Sequence, residues 1–199
     1  MFIVIEGIDG AGHGTQAKLL VDYFQKKGKK VTKIKTPNKE TPIGQAYYSY
    51  LNKEYELNKE AVFLLCAADV ISNKPIIDKV KKNEIIISER YITSTIAFQG
   101  ANGLPIEKSL RIVEAIKFPK ADAIIYIDIP PEVGMERKAK IKKLDRHESN
   151  KIFLEKAREI YKQEIKRSVL GKWFIVDGNK SIEEVHKDII KVLKNNFNL

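Results

Sequence analysis

Closely spaced glycines in the stretch EGIDGAGHGTQ, residues 6–16, are the first feature of this sequence that indicates chemistry. Gly7 and Gly12 stand with four residues between them, after an apolar run and before a helix-like pattern. Successive backbone N–H groups in such a loop, together with the N-terminus of the following helix, bind phosphate groups. The spacing therefore predicts a phosphate-binding loop. Its predicted ligand-binding residues are Gly7, Gly10, Ala11, Gly12, His13, Gly14 and Thr15.

Two positions of this loop depart from the usual pattern. His13 stands where such loops carry a lysine for the terminal phosphates, and Gly14 where they carry a hydroxyl that binds magnesium. Histidine is only partly charged near neutral pH, but a bound triphosphate should raise its pKa because opposite charge favours the protonated form. Thr15 could supply the missing hydroxyl from the next position. A glycine-rich turn that binds no nucleotide, and a nucleotide-binding loop with weakened catalysis, are the alternatives.

The positive charge of the chain limits its possible partners. The formal net charge is +10, and basic proteins bind nucleic acid, anionic surfaces or small polyanions such as nucleotides. The lysines at 26–30 and 79–82 lie at ends of predicted helices, where a solvated surface explains them. No aromatic residues are interleaved with them to form a base-stacking platform. We therefore expect nucleotides, and no nucleic acid, as partners.

Length and composition predict one soluble domain over residues 1–199. The single cysteine, Cys66, excludes an internal disulfide and suits a reducing compartment. No apolar run approaches the roughly 20 residues of a membrane span, and no signal-like segment precedes the first strand at Phe2. We expect a cytoplasmic protein that does not bind membranes.

Strand-like and helix-like segments alternate along the chain. Apolar or β-branched runs predict strands at residues 2–6, 30–35, 84–89, 123–129 and 173–178. Apolar residues at helical spacing mark segments between and after them, at residues 19–24, 62–69, 110–116 and 185–192. The alternation predicts an α/β domain in which helices cover both faces of a mostly parallel sheet.

Polar segments follow all five predicted strands. Ligands of such sheets bind at the carboxyl ends of the strands, so these segments should meet at one edge. Three of the five are rich in basic residues. The five segments are residues 7–15, 36–44, 89–100, 130–148 and 177–181. Their convergence predicts a site lined by charged side chains that come from separate parts of the chain.

With these segments in view, the sequence resembles the thymidylate kinase family, whose members phosphorylate dTMP with ATP. IEGIDGAGHGTQ resembles the family's phosphate loop, which usually has GKST or GKTT where this chain has GHGT. TPNKETPIG, SERYITSTIAFQGANGL, YIDIPPEVGMERK and KLDRHE resemble later family segments in the same order. The resemblance covers nearly the whole chain. It implies a three-layer P-loop kinase fold with a five-stranded parallel sheet and a mobile lid at about residues 138–148.

The resemblance implies which residues bind the acceptor nucleotide. Asp9 would accept a hydrogen bond from the deoxyribose 3′-hydroxyl and lie near the metal. Arg90 would bind the acceptor's phosphate, a task that suits an arginine fork. Lys39 stands where the family has a second phosphate-binding arginine. Thr95 would contact the base, and Phe98 would pack on the sugar and disfavour a 2′-hydroxyl.

It also implies which residues act on the donor, ATP, and on Mg²⁺. Arg137 would lie against adenine, with Asn179 in the loop that borders it. Arg146, in the lid, would stabilise charge on the transferring phosphoryl group as an arginine finger does. Glu89 would hold magnesium through water, with Thr15 as a further metal ligand. The catalytic residues predicted in this way are Asp9, His13, Arg90 and Arg146. We expect His147, in the lid segment, to be solvated.

Two base-reading positions depart from the family. Cys66 stands where a phenylalanine stacks on thymine, and Val70 where an arginine bonds the base carbonyl. Their loss removes contacts of about 1–3 kcal/mol each, by analogy with base recognition elsewhere. The preferred interpretation is phosphorylation of dTMP to dTDP in dTTP synthesis. A kinase of another pyrimidine monophosphate such as dUMP or UMP, and a non-catalytic nucleotide-binding protein, are the main alternatives.

Other classes fit the sequence less well. A nucleic-acid-binding module rests on charge alone, and a nucleoside kinase does not need both Arg90 and Lys39 for its acceptor. The resemblance further implies a homodimer formed through helices. The apolar face around Val62 and Leu65 is the expected contact surface.

Overall fold

The centre of the protein is a five-stranded parallel sheet in the order β2-β3-β1-β4-β5. We describe it from a computed structural model covering residues 1–80, 84–141, 147–148 and 150–197. The strands are β1 (Phe2–Glu6), β2 (Lys30–Lys35), β3 (Glu84–Glu89), β4 (Ala121–Asp128) and β5 (Gly171–Asp177). The bounds predicted for β1, β2 and β3 are confirmed. β4 and β5 begin two residues earlier than predicted because Ala121 pairs with Gly171, an extension that carries no apolar signal.

Helices lie between the strands and after the last one. They are α1 (His13–Lys26), α2 (Pro42–Leu51), α3 (Lys59–Ile71), α4 (Lys74–Asp78), α5 (Ile92–Ala101), α6 (Ile106–Ile116), α7 (Pro131–Ala139), α8 (Lys151–Lys166) and α9 (Ile182–Asn196). Periodicity did not reveal α5, because most of its side chains are buried and it shows no polar stripe. Across the described parts of the chain, no helix combines the length and apolarity that a membrane span requires.

Side chains of β1 alternate between two hydrophobic cores, one on each face of the sheet. Ile3 and Ile5 pack in the core that includes α1, α8 and α9. Phe2 and Val4 pack in the core that includes α3, α5 and α6. β1 is therefore buried over its whole length, which explains its continuous apolar sequence. The predicted arrangement of helices on both faces is confirmed.

The position of β1 between β3 and β4 is what assembles the site. Neighbouring parallel strands end at the same edge, so the segments that follow β1, β2 and β3 emerge side by side. The glycine loop after β1 leads directly into α1, and the segment after β3 leads into α5.

Of the apolar face expected around Val62 and Leu65, Val62 does not lie on the surface of the chain, whereas Leu65 is half-buried. Val62 is fully buried and packs with Tyr50 and Cys66 between α2 and α3. The expectation of a subunit contact through Val62 is therefore wrong, because this side chain is already used inside the chain. Leu64, two residues later, is the large apolar residue that α3 exposes, at 53% of its surface.

Candidate active site

A buried carboxyl group anchors the floor of the site. Glu6, the last residue of β1, is fully buried, and its two oxygens accept hydrogen bonds from α5 and α8. The donors are Tyr91 N at 3.0 Å, Thr93 Oγ1 at 2.5 Å, Ser94 N at 3.2 Å, Ser94 Oγ at 2.5 Å and Tyr161 OH at 2.8 Å. This network ties the segment after β3 to the central strand. A single acid at the end of an apolar run does not indicate such a network, so Glu6 was not among the predicted site residues.

Arg90 is held in an unusual backbone conformation above this floor. Its φ of 67° lies in the left-handed region, which residues other than glycine rarely adopt. Arg90 N donates to Ile5 O at 3.0 Å, and the adjacent Tyr91 N donates to Glu6. These bonds fix the backbone on both sides of Arg90. The guanidinium is thereby directed into the site and not along the sheet edge.

The Arg90 guanidinium is bound on several sides before any ligand is present. Nη2 donates to Asp9 Oδ1 at 2.5 Å, and Nη1 donates to Ser94 Oγ at 3.2 Å. The guanidinium carbon also lies 4.9 Å from the centre of the Phe98 ring. Burial alone would lower the pKa of Arg90, but Asp9, together with Tyr161, Glu6 and Tyr47, outweighs it and raises that pKa. The side chain therefore stays charged at any working pH.

A cavity of about 320 Å³ opens in front of Arg90. This volume falls in the range of about 300–1,000 Å³ that is typical of small-molecule sites. The lining includes all the residues predicted to bind the acceptor nucleotide, which are Asp9, Lys39, Cys66, Val70, Arg90, Thr95 and Phe98. His13 and Glu89 line it as well. The structure thus brings together side chains from the ends of three strands and from α3 and α5, while their individual roles stay predictions.

The glycine loop has the backbone that phosphate binding requires. Gly10 and Gly12 have φ values of 83° and 93°, and Gly12 directly precedes the first turn of α1. At Gly10 a β-carbon would lie 2.3 Å from the Gly134 carbonyl oxygen, and at Gly134 it would lie 2.2 Å from the Asp9 carbonyl oxygen. Helix α7 therefore packs backbone to backbone against the loop. The loop can keep this shape only if both positions lack a side chain.

His13 is a neutral residue in the absence of ligand. Its side chain is 14% exposed, and Nδ1 lies 3.9 Å from Glu89 Oε1. Burial lowers the pKa of His13 well below its ordinary value, and the charges of Arg90, Lys138, Lys35 and Lys33 lower it further. The protonation that we expect with a bound triphosphate must therefore overcome both effects.

The carboxylate of Glu89 lies directly below the altered part of the loop. A β-carbon at Gly14 would lie 3.0 Å from Glu89 Oε1. Lys33 Nζ is 2.9 Å from Oε2 and Lys35 Nζ is 3.0 Å from Oε1. Burial would raise the pKa of Glu89, but the two lysines outweigh it and lower that pKa. Thr15, the other predicted metal ligand, is exposed at the start of α1.

The residues predicted to contact the base have small, uncharged side chains that line the cavity. Cys66 and Val70 on α3 are 5% and 3% exposed, and both face the cavity. Burial and the nearby Asp69 raise the pKa of the Cys66 thiol, which therefore stays protonated. Thr95 on α5 interacts with this thiol and offers a hydroxyl to the same space.

Asp69 positions the loop that carries Lys39, a role that was not predicted from its place on a helical face. Its carboxylate accepts hydrogen bonds at 3.0 Å from Asn38 N and from Thr41 Oγ1. These bonds hold the loop before α2, which carries Lys39 into the cavity. Lys39 Nζ lies 4.3 Å from the centre of the Tyr48 ring. The presence of an acid within an otherwise apolar helical face is the sequence feature that could have identified Asp69.

Arg137 and Asn179 lie apart from this cavity, on the far side of the glycine loop. Arg137 Nη2 donates to Gly178 O at 3.0 Å and Nη1 to Gly10 O at 3.5 Å. The guanidinium thus connects the loop to the segment after β5 that contains Asn179. This is compatible with an adenine site, although the role of either residue stays a prediction.

The segment predicted to form a lid is described only in part. Arg146 and residues 142–145 lie outside the described residues. Lys138 lines the cavity and its Nζ is 2.9 Å from Glu148, whereas Lys140 pairs with Glu136 at the surface. The expectation that His147 is solvated is wrong. His147 is 4% exposed because its ring stacks on Phe153 at 4.5 Å.

Comparison with known proteins gives a consistent match. The thymidylate kinase family model matches residues 5–189. The thymidylate kinase of Thermosipho africanus is 37% identical over 204 residues, covering 98% of this chain and 98% of that protein. The thymidylate kinase of Fervidobacterium nodosum is 31% identical over 195 residues, covering 96% and 98%. The solved structure of Candida albicans thymidylate kinase superimposes with a TM-score of 0.78 at 25% identity, covering 98% of this chain and 91% of that one.

Proposed function

Because the chain belongs to the thymidylate kinase family of nucleoside monophosphate kinases, we propose that it transfers the terminal phosphoryl group of ATP to dTMP. The products are dTDP and ADP, and the reaction leads toward dTTP. The observation that carries the proposal is the cavity in which Arg90, Asp9 and Lys39 lie beside a glycine loop. Arginine and lysine together suit an acceptor that already carries a phosphate.

In this proposal the protein positions the two nucleotides and does no covalent chemistry. Phosphoryl transfer needs the attacking and leaving oxygens in line and the equatorial charge neutralised. Backbone N–H groups between Gly10 and Thr15 bind the donor phosphates. Arg90 binds the acceptor phosphate through donors that Asp9 and Ser94 do not occupy. Asp9 is also free to accept from the 3′-hydroxyl through its second oxygen.

Magnesium fits the oxygen ligands at the start of α1. Mg²⁺ binds through one or two carboxylates together with substrate phosphates, and the Glu89 carboxylate lies 3.0 Å from the position of a Gly14 β-carbon. Glu89 would hold the ion, by direct contact or through water, and Thr15 would add its hydroxyl. When bound, the ion would neutralise charge on the donor phosphates. Among the described residues no cluster of three or more His, Cys, Asp or Glu side chains that could hold a metal ion occurs.

A monophosphate panel tests the proposal. Purified protein is incubated with Mg·ATP and with each of dTMP, dUMP, dCMP, UMP and thymidine, and diphosphate formation is followed by chromatography. We expect dTDP as the main product. ATP binding without any diphosphate would identify the non-catalytic alternative. Phosphorylation of thymidine in preference to dTMP would identify a nucleoside kinase.

The homodimer and the cytoplasmic location also belong to this proposal. Leu64 on α3 and Ile76 on α4 are large apolar residues that are 53% and 46% exposed. Sedimentation of wild type and of Leu64→Asp tests the subunit contact. We expect a dimer that the charged variant weakens, while Ile175→Asp on β5, also at an exposed apolar residue, leaves it unchanged.

A further inference from the structure

The glycine loop lacks the positive charge that its function requires. Between Gly7 and Thr15 the one basic side chain is that of His13, and its imidazole is neutral without ligand. A transferring phosphoryl group carries charge on three equatorial oxygens, and loops of this kind neutralise part of it with a lysine. Some other group must supply that charge if the chain is an active kinase.

Two lysines of β2 lie next to the position where the loop lysine is missing. Lys33 and Lys35 are two residues apart on a strand, so their side chains point to the same side of the sheet. Lys35 pairs in register with Glu89 at the end of β3. Both Nζ atoms lie about one hydrogen-bond length from the Glu89 carboxylate, at 2.9 and 3.0 Å.

This arrangement differs from a surface ion pair on the same strand. Lys30 pairs with Glu84 at 2.7 Å, but the Lys30 side chain is 75% exposed and the pair lies at the opposite end of the strand. Glu89 is only 8% exposed, and Lys35 lines the cavity together with His13 and Arg90. Burial lowers the pKa of His13, and the charges of Arg90, Lys138, Lys35 and Lys33 lower it further, as expected if both β2 lysines lie near the loop.

We propose that Lys35, supported by Lys33, supplies to the donor phosphates the positive charge that the loop lysine supplies in related kinases. The inference rests on the proposed function and assigns part of its machinery. Two lysines and one carboxylate leave one net positive charge beside the loop. Lys35 faces the cavity and contacts the phosphate, while Lys33 keeps Glu89 paired when Lys35 turns toward the ligand.

The same arrangement explains both departures in the loop. A lysine at position 13 would add a third ammonium group to those of Lys33 and Lys35, with the Arg90 guanidinium also nearby. Like charges that lie close together repel one another. A serine or threonine at position 14 would bring its side chain against the Glu89 carboxylate, 3.0 Å from the β-carbon position. His13 and Gly14 are therefore the residues that fit a site whose cation comes from β2.

Removal of each lysine charge tests the proposal. Lys35→Met keeps the aliphatic part of the side chain and deletes the charge. Lys33→Met does the same at the supporting lysine, and Lys30→Met is the matched control on the same strand. We expect Lys35→Met to lower kcat/KM for ATP about tenfold or more, and Lys33→Met to lower it less. The KM for dTMP should change by less than about twofold, and Lys30→Met should match wild type. A loss confined to the dTMP KM would overturn the assignment to the donor.

A second substitution separates contact with phosphate from support of Glu89. If Lys35 provides the phosphate charge, His13→Lys added to Lys35→Met should restore at least part of the lost kcat. If Lys35 only neutralises Glu89, His13→Lys should leave the loss in Lys35→Met unchanged. That second pattern would sink the proposal.

Donor binding gives a readout that does not depend on which acceptor is used. Binding of a non-hydrolysable ATP analogue is measured by calorimetry for wild type and the three lysine variants. We expect several-fold weaker binding for Lys35→Met and unchanged binding for Lys30→Met. If wild type phosphorylates no monophosphate, the proposed function fails, yet this measurement still decides whether Lys35 contacts the donor. Equal affinities in all four proteins would reject the inference alone.

Discussion

Arg90 and Asp9 form a hydrogen bond of 2.5 Å between Nη2 and Oδ1, and it joins the segment after β3 to the glycine loop after β1. The bond pairs the buried guanidinium with a carboxylate and orients it before substrate binds. It also links the group assigned to the acceptor phosphate with the loop assigned to the donor. A change at either residue should therefore affect both nucleotides, although not equally.

Loss of the Arg90 side chain should impair acceptor use most. We predict that Arg90→Ala lowers kcat/KM for dTMP at least about tenfold, because a buried bidentate donor is removed. Arg90→Lys should recover only part of the loss, since it restores the charge and not the fork. Steady-state kinetics with varied dTMP measure both. The control is Arg111→Ala, at an exposed position of α6, and unchanged kinetics in Arg90→Ala would contradict the acceptor assignment.

Acid should destabilise the protein partly through His13. Its pKa in the folded state lies well below the ordinary value near 6.5, so between these two pH values the unfolded chain binds more protons. Stability from this group is complete above pH 6.5 and is lost as the pH falls toward the folded pKa. We predict that His13→Asn loses less stability than wild type between pH 7.5 and 5.5 in urea unfolding.

A control separates His13 from the other half-buried histidine. Burial also lowers the pKa of His186, so it contributes with the same sign in both proteins and cancels in the comparison. Glu89, with its lowered pKa, loses its contribution only at more acid pH. Identical pH dependence in wild type and His13→Asn would show that folding does not lower the pKa of His13.

Two fully buried glutamates should respond very differently to the same substitution. We predict that Glu6→Gln lowers the free energy of unfolding by about 2–5 kcal/mol, because an amide nitrogen cannot accept and at least two buried donors lose their partner. Urea unfolding at pH 7 measures the change. Activity should fall with it, since Ser94 and the backbone beside Arg90 share the network.

Glu164→Gln is the matched control for this prediction. Glu164 on α8 is fully buried, and neither carboxyl oxygen has a hydrogen-bond partner in the part of the chain that the structure describes. Burial, and secondarily the nearby Glu6, raises its pKa well above the ordinary value, so it is protonated and uncharged. Glutamine has nearly the same shape and charge, and we predict a change of about 1 kcal/mol or less. A neutral Glu6→Gln beside a strongly destabilised Glu164→Gln would contradict the assignment of the network.

Discrimination between pyrimidines should be weak. Cys66, Val70 and Thr95 offer the base neither a stacking ring nor a charged donor, so dTMP and dUMP differ mainly by burial of one methyl group. One methyl is worth about 0.8 kcal/mol, and we predict a preference for dTMP of about tenfold or less in kcat/KM. UMP should be poorer than dUMP, because Phe98 is expected to pack on the sugar. A preference for dTMP above about a hundredfold would exclude this account.

The sequence predicted the parts of this fold that depend on local pattern. Continuous apolar runs located the strands, and the polar segments after them located the site, because parallel strands end together. α5 escaped prediction since its side chains are buried on nearly all sides. His147 was misjudged because the rings of Phe98 and Phe153, which bury it, lie elsewhere in the sequence.

Contacts between distant segments were beyond sequence reasoning. The pairing of Lys35 with Glu89 depends on the register of β2 against β3, which residue types do not reveal. The hydrogen bonds from Asn38 and Thr41 to Asp69 depend in the same way on how α3 packs beside the loop. Residue patterns indicated which side chains could act, and the fold decided which of them meet.

The close backbone contact between Gly10 and Gly134 leaves no space between the glycine loop and α7. An outward displacement of the loop would therefore displace α7 as well, so the two are expected to move as one unit. A methyl group at Gly134 would meet the Asp9 carbonyl oxygen at 2.2 Å and force the loop and the helix apart.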